Sequence, residues 1–379
     1  MTEYPRPDAS KVPDFLEDRG PAEYFHGRTK ILDNFGKLLE HAVQTDRGTT
    51  FLIQGAPGVG KTALLEEMAI DAMENRWDVV KINFDDLYNP VHMAQTLGKP
   101  YISRKQTARK VDSKLLSIEH IKEVAGDSSV SHVLEKMNPK RGVLLILDEA
   151  QYIGRFFNTP NELAVTSTLN RIHNGELPHP VILLAAGLGM SKASFGDLGV
   201  SRFKGGCFVE LGALSKGSER AVIHDWIIKE GDAKRDPTPW IDAIAQETHG
   251  WPQHITAYGD AAARQIQKDK GRMTPEGLEV VYRVGKQRRE AYYRQRIGKF
   301  YGDQLQCLAS SISNNPLGEP ISRLAIISSL AKTYDDDKAE DLLKDFIEKG
   351  ILEKGRKGLS IPIPSMHTWL KEEYGSDAS

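Results

Sequence analysis

One stretch, Gly55-Ala56-Pro57-Gly58-Val59-Gly60-Lys61-Thr62, constrains what this chain can fold into more than any other. It fits G-x-x-x-x-G-K-[ST] and follows the short apolar run Phe51-Leu52-Ile53. After it, Ala63, Leu64, Leu65, Met68, Ala69, Ala72 and Met73 recur at helical spacing. A buried strand, a glycine turn and a helix in that order turn successive backbone N–H groups inward at the positive end of the helix, where they cradle phosphate oxygens. The reading therefore places nucleotide contacts along Gly55, Ala56, Pro57, Gly58, Val59, Gly60, Lys61, Thr62 and Ala63. Lys61 supplies a point charge to the β- and γ-phosphates, and the Thr62 hydroxyl is a Mg²⁺ ligand. A glycine turn with an accidental lysine is the competing reading, and the flanking strand and helix weigh against it.

The second element is Val143-Leu144-Leu145-Ile146-Leu147-Asp148-Glu149. An unbroken apolar run is the pattern of a central parallel strand covered on both faces. It delivers two carboxylates at its C-terminal end, where ligands of open α/β sheets bind. Asp148 is the expected metal carboxylate and Glu149 the group that orients and activates an attacking water. In isolation an Asp-Glu pair after a strand is as readily a helix N-terminus; next to the glycine loop it reads as a hydrolytic pair.

Around these motifs the chain alternates strand and helix. Strands are expected at Phe51–Ile53, Val79–Phe84, Val143–Leu147, Val181–Ala186 and Cys207–Leu211, with helices after the glycine loop and over Asn161–Asn174. Such alternation means a parallel sheet with crossovers. Residues 1–22, carrying Pro5, Pro7, Pro13 and Pro21, read as an extended lead-in. Residues 23–212 form the α/β domain, with a polar, helical insert at about 98–140. Beyond Leu214 the strand signal stops, and 213–299 read as an all-helical lid: Glu219–Lys229, Trp240–Thr248, Ile255 to Lys268 and Pro275 to Arg296. In 300–379 three helices, Gln304–Ile312, Ile321–Ala331 and Lys338–Lys349, precede a strand–turn–strand at Ile351–Lys354 and Leu359–Ile363. That order spells a winged helix.

Composition excludes other classes. Lys+Arg number 50 and Asp+Glu 52, a net charge of -2, which rules out a uniformly basic nucleic-acid coat. Two cysteines, Cys207 and Cys307, are too few for a disulfide framework or a thiolate zinc cage. No apolar run approaches the roughly 18 residues of a membrane span, and the N-terminus has no apolar signal region, so a cytoplasmic location is expected.

With these motifs the chain resembles the P-loop ATPases of the AAA+/STAND group, in the replication-initiator or archaeal-type branch. The resemblance implies that Val181–Ala186 lies between the two motif-bearing strands, and that ATP with Mg²⁺ is bound and hydrolysed. Phe25-His26-Gly27-Arg28 is similar to the family's hydrophobic–Gly-Arg box, which makes Arg28 a nucleotide contact; a surface Gly-Arg turn is the alternative. Ile31 departs from the acid that STAND relatives carry there. Arg202, in Ser201-Arg202-Phe203, holds the place of an arginine finger that serves a neighbouring subunit, which implies a nucleotide-dependent homo-oligomer. Gly250-Trp251-Pro252 is similar to a Gly-x-Pro lid segment, but Gln253 and His254 stand where many relatives have a sensor arginine. The fourth strand ends Ala186-Gly187-Leu188-Gly189, without the usual polar sensor.

Charge leaves the partner open. Residues 301–379 hold 9 Lys+Arg and 13 Asp+Glu, and the presumptive recognition helix follows Asp335-Asp336-Asp337; only the wing, Lys354, Arg356 and Lys357, suits DNA. Residues 261–300 hold 11 Lys+Arg and 4 Asp+Glu, with Arg283, Lys286, Arg288, Arg289, Arg294, Arg296 and Lys299 interleaved with Tyr282, Tyr292 and Tyr293. Such a stretch suits a phosphate backbone and stacked bases, or else pairs with the acidic C-terminal part. Two functions follow. One is a DNA-associated ATPase of initiator, transposition or mobile-element type, contacting double-stranded DNA through Arg283–Lys299 and the wing. The other is a STAND-like signalling switch whose winged helix docks a protein partner.

Overall fold

The computed structural model describes residues 24–99, 129–316, 319–355 and 357–375. Most of the polar insert, and Arg356 of the expected wing, lie outside the described residues. Two compact units emerge. The first comprises Arg28–Gly55 and Lys61–Leu211; the second comprises Ala56–Gly60 and the chain from Gly212 onward, with the segment that ends at Gly27.

The first unit is built on the apolar runs. Its strands are β1 (Thr49–Gly55), β2 (Asp78–Lys81), β3 (Val143–Leu147), β4 (Val181–Gly187) and β5 (Phe208–Leu211). All pair in parallel in the order β2-β3-β4-β1-β5. The fourth strand in sequence therefore stands between the two that carry the motifs, with Thr49 opposite Ile182 and Val143 opposite Val181. Every residue of β1, β3 and β4 is buried, which is why no polar alternation appears in their sequence. The period of two survives in the packing. Val143, Leu145 and Leu147 of β3, with Leu183 and Ala185 of β4, share one cluster with Met93 and Leu97 of α3 (Pro90–Leu97), Val133 and Leu134 of α4 (Val130–Glu135), and Leu169 of α5 (Glu162–Asn174). Helices α1 (Thr29–Thr45) and α2 (Lys61–Glu74) pack together, and the Phe35 ring of α1 meets Phe51 of β1 edge-on at 5.8 Å.

The edge strands are shorter than expected. The second ends at Lys81 and not at Phe84, because Asn83 N–H is captured by the Asp86 carboxylate at 2.7 Å and a 3-10 turn begins at Phe84. The fifth begins at Phe208, one residue after Cys207. A further 3-10 turn, Ala150–Phe156, follows the Asp148-Glu149 pair directly and packs against α6 (Ser191–Asp197).

In the second unit, α7 (Lys216–Asp225) runs into a π turn over Trp226–Glu230, followed by α8 (Thr238–Thr248), α9 (Pro252–Lys268) and α10 (Pro275–Ile297). Their core gathers Ile223, Trp226, Trp240, Ile244, Ile255, Tyr258, Ile266 and Val281. Helices α9 and α10 approach closely because Gly285 faces the Tyr258 ring, which a Cβ there would meet at 2.5 Å. The remainder is α11 (Gly302–Ile312), α12 (Arg323–Leu330), α13 (Asp336–Glu348), the antiparallel pair β6 (Glu353–Gly355) and β7 (Gly358–Ser360), and α14 (Met366–Tyr374). Ile321 bridges Leu359 in antiparallel sense and so adds a third short segment to the pair.

Here the sequence expectation needs two corrections. Ile351 and Leu352 are not strand: both N–H groups donate to the Phe346 carbonyl, closing the end of α13, and both side chains are buried. Helix α14 was not anticipated, since Pro362 and Pro364 break the pattern just before it. Among the described residues no helix is long and apolar enough to cross a membrane.

Candidate phosphate-binding site

The first unit brings Lys61, Thr62, Asp148 and Glu149 to the carboxyl end of the sheet. Lys61 and Thr62 open α2, directly after the turn that leaves β1. The Lys61 ammonium donates to the Gly55 carbonyl at 2.9 Å, and the Thr62 hydroxyl donates to Asp148 Oδ2 at 3.1 Å. Residues 86 apart in sequence thus place two hard oxygen donors side by side. Hydroxyl and carboxylate oxygens are the donors Mg²⁺ takes beside phosphates, so this pair fits that ion.

The turn itself needs its glycines. Gly58 and Gly60 sit at φ of +75° and +92°, in the left-handed region that a side chain strains. Space is short at Gly58 as well. A Cβ there would lie 2.9 Å from Gln253 Cβ and from the Tyr292 hydroxyl, and Gln253 N–H donates to the Gly58 carbonyl at 3.1 Å. Within the second unit, then, the Gly250-Trp251-Pro252 segment and α10 both lie against the glycine turn.

Glu149 has a special backbone. Its φ of +55° is left-handed for a non-glycine residue, held by its own N–H donating to Asp148 Oδ1 at 2.9 Å. Its carboxylate accepts from the Gln151 amide at 2.6 Å. Sequence reasoning passed over Gln151, because nothing in the spacing marks a polar residue two positions beyond the pair.

Other expected residues are dispersed. Arg28 stands at the N-terminal end of α1 with φ of +60°, half-buried, and burial lowers the pKa of its guanidinium. In the same box His26 belongs to the second unit, where it meets Asp225 at 2.7 Å. Arg202 is exposed ahead of β5, and its carbonyl meets His173 Nε2 at 3.0 Å. His254 is a core residue, fully buried, with Nε2 2.9 Å from the Tyr293 hydroxyl, and burial pushes its pKa down to about 3.

The basic stretch of α10 is mostly occupied within its own unit. Arg289 is 9% exposed and donates to the Glu247 carbonyl at 3.1 Å, while Arg288 pairs with Asp260. Arg294 reaches Glu373 at 3.2 Å, Arg296 donates to the Lys349 carbonyl, and Lys299 meets Asp345 at 3.0 Å. Tyr293, one of the three tyrosines that one of the two readings of this stretch offers for base stacking, is fully buried and bonds the Pro364 carbonyl at 2.9 Å and Ser365 Oγ at 3.0 Å. Arg283 and Lys286 are exposed, as are Lys354 of β6 and Lys357 of the turn after it.

No family model matches this chain, and no curated protein matches it. Solved structures do. The Walker-type ATPase paby2304 of Pyrococcus abyssi is 16% identical and aligns over 94% of this chain and 99% of its own, with a TM-score of 0.53. The ORC2 protein of Aeropyrum pernix, in ADPNP-ADP complexes, is 12% identical over 94% of this chain and 95% of its own, with a TM-score of 0.55. Its ADP form gives 0.56 at 12% identity, over 96% and 98%. Together with the β2-β3-β4-β1-β5 order and the glycine turn after β1, these likenesses give the chain the fold of the AAA+ P-loop ATPases.

Proposed function

We propose that this chain binds ATP on Gly55–Ala63 and hydrolyses it to drive a conformational or assembly switch. The observation that carries the reading is the meeting of Thr62 and Asp148 at 3.1 Å, with Glu149 next along the chain. Lys61 holds the β- and γ-phosphates, and Arg28 contributes to nucleotide binding. Thr62 and Asp148 hold the metal, which when bound supplies charge neutralisation on the phosphate oxygens. Glu149 accepts the proton of the attacking water and orients it toward the γ-phosphorus. Arg202 serves a neighbouring subunit as the arginine finger of a nucleotide-dependent homo-oligomer. The likeness to an ORC2 protein solved with ADPNP and ADP supports an adenine nucleotide as ligand.

The switch acts with double-stranded DNA, through the exposed Arg283 and Lys286 of α10 and through Lys354 and Lys357 of a C-terminal winged helix. A second reading has its own support. The ion pairs Arg294–Glu373 and Lys299–Asp345 spend charge of the basic stretch on the acidic C-terminal part, as a protein-docking STAND-like switch would. Steady-state ATP turnover with and without duplex DNA, at low and moderate salt, separates them with Lys61→Ala as blank. Salt-sensitive stimulation is expected of the DNA reading. Turnover indifferent to DNA removes it in favour of the protein partner. Arg202→Ala should slow only the assembled form, and mixing it with Glu149→Gln subunits should restore activity; no rescue at any ratio contradicts a finger acting in trans.

A further inference from the structure

We infer that Gln151 is the residue that positions Glu149 for hydrolysis, and that it does so by tying the Glu149 carboxylate to the backbone at the end of β4. The inference rests on the reading of Glu149 as the water-activating group. Three bonds define the arrangement. Gln151 Nε2 donates to Glu149 Oε2 at 2.6 Å, Leu188 N–H donates to Gln151 Oε1 at 2.9 Å, and the Gln151 carbonyl accepts from Ser194 Oγ at 3.3 Å.

The amide orientation follows from its neighbours. A backbone N–H only donates and a carboxylate only accepts, so one side of the Gln151 amide must present oxygen to Leu188 and the other nitrogen to Glu149. A glutamine is the side chain that satisfies both at this reach, and it is only 9% exposed, with its bond to Leu188 buried and its bond to Glu149 partly so. The space for it is kept open by Gly187, where a Cβ would come within 2.7 Å of Gln151 Oε1 and 2.8 Å of its backbone nitrogen.

This accounts for the end of β4, which carries Ala186-Gly187-Leu188-Gly189 and offers no polar side chain to the site. Its contribution is a backbone N–H, relayed through Gln151. The next turn repeats the device toward β1: Lys192 N–H donates to the amide oxygen of Gln54, the residue just before Gly55. Both glutamines are buried, and both hold the segment after β4 to strands that carry the motifs. Glu149 needs such a hold, because its left-handed backbone leaves its side-chain direction to be fixed by contacts and not by a helix or strand.

The experiment measures ATP turnover and nucleotide affinity for the full chain, its Gln151→Met, Gln151→Glu and Glu149→Gln variants, and the Glu149→Gln/Gln151→Met double variant. Gln151→Met keeps the volume and loses both side-chain bonds. Gln151→Glu keeps an acceptor for Leu188 N–H while replacing the donor that faces Glu149, so it tests the inference even if the methionine variant fails to fold. Each folded Gln151 variant should lower kcat about 10- to 100-fold, the worth of one charge-assisted hydrogen bond, with nucleotide Kd unchanged. In the Glu149→Gln background the Gln151→Met change should cost nothing more, since it acts through the missing carboxylate. An unchanged kcat in the folded variants overturns the inference, as do losses that multiply in the double variant or a weakened nucleotide affinity that matches the loss of rate. Wild-type turnover retained in the Glu149→Gln variant removes the hydrolytic reading first and the inference with it, which distinguishes that failure from a failure of Gln151 alone.

Discussion

The carboxyl end of the first unit's sheet and helix α10 of the second are both dense in charge, and the fold treats them in opposite ways. At the sheet, Asp148 and Glu149 are set beside a hydroxyl and an amide, Thr62 and Gln151, whose hydrogen bonds place the carboxylates. Along α10 and just after it, most cations are given a partner: Glu247 and Asp260 within the helical core, Asp345 and Glu373 further on. A surplus of basic residues in a sequence window is therefore not a field presented to a ligand. What decides is whether each charge meets its complement inside the unit.

The sharpest way to break this comparison is Lys61→Ala. If the sheet end is a phosphate site, the variant should lose ATP affinity by 100-fold or more, read by titration calorimetry; retained micromolar binding sinks the phosphate-turn assignment. Next in size is Arg289→Met. Taking away a buried guanidinium that bonds the Glu247 carbonyl and lies over the Tyr258 ring should cost about 1–3 kcal/mol and lower the melting temperature by several degrees. The same change at exposed Arg283 should leave melting within a degree. Equal effects at the two positions would show that α10 charges are not sorted in this way.

A third prediction concerns pH. His254 has a folded-state pKa pushed by burial to about 3, below the ordinary 6.5. The unfolded chain binds the extra proton, so the stabilisation is complete above pH 6.5 and is lost as pH falls toward 3. The slope is at most about 1.4 kcal/mol per pH unit. Denaturant unfolding at pH 6.5 and 5 should show this loss, and His254→Gln should reduce it. An unaltered slope would mean that the imidazole does not stay neutral in the core. The smallest effect belongs to DNA. Arg283→Ala with Lys286→Ala should weaken duplex binding less than tenfold and reduce the salt slope by about one for each lost phosphate contact. Affinity that falls equally with Arg294→Ala would blur the distinction between these exposed charges and those held by the C-terminal part.

Much of this was legible in the sequence because it is local. The glycine turn, the apolar strand that ends in Asp148-Glu149, and the five-strand alternation each lie within a short window, and burial on both faces makes the strands unbroken runs. The position of β4 between β1 and β3 needed the family resemblance, since parallel pairing leaves no turn to read. Gln151 was missed because its partner Leu188 lies 37 positions away, on another strand's end. For the same reason the sequence leaves the pairing of the basic stretch with the acidic C-terminal part as one of two open readings: Arg288 finds Asp260 at a separation of 28, and Arg294 finds Glu373 at 79. Ile351-Leu352 reads as strand by composition, yet the carbonyls at the end of α13 claim their N–H groups first.

The central claim is that the sheet end hydrolyses ATP through Glu149, and single-turnover hydrolysis at saturating enzyme tests it most directly. The account predicts that Glu149→Gln binds ATP with wild-type affinity and cleaves it about 10²- to 10⁴-fold more slowly, the usual contribution of a general base. Cleavage at the wild-type rate in that variant, with ATP bound, would contradict it.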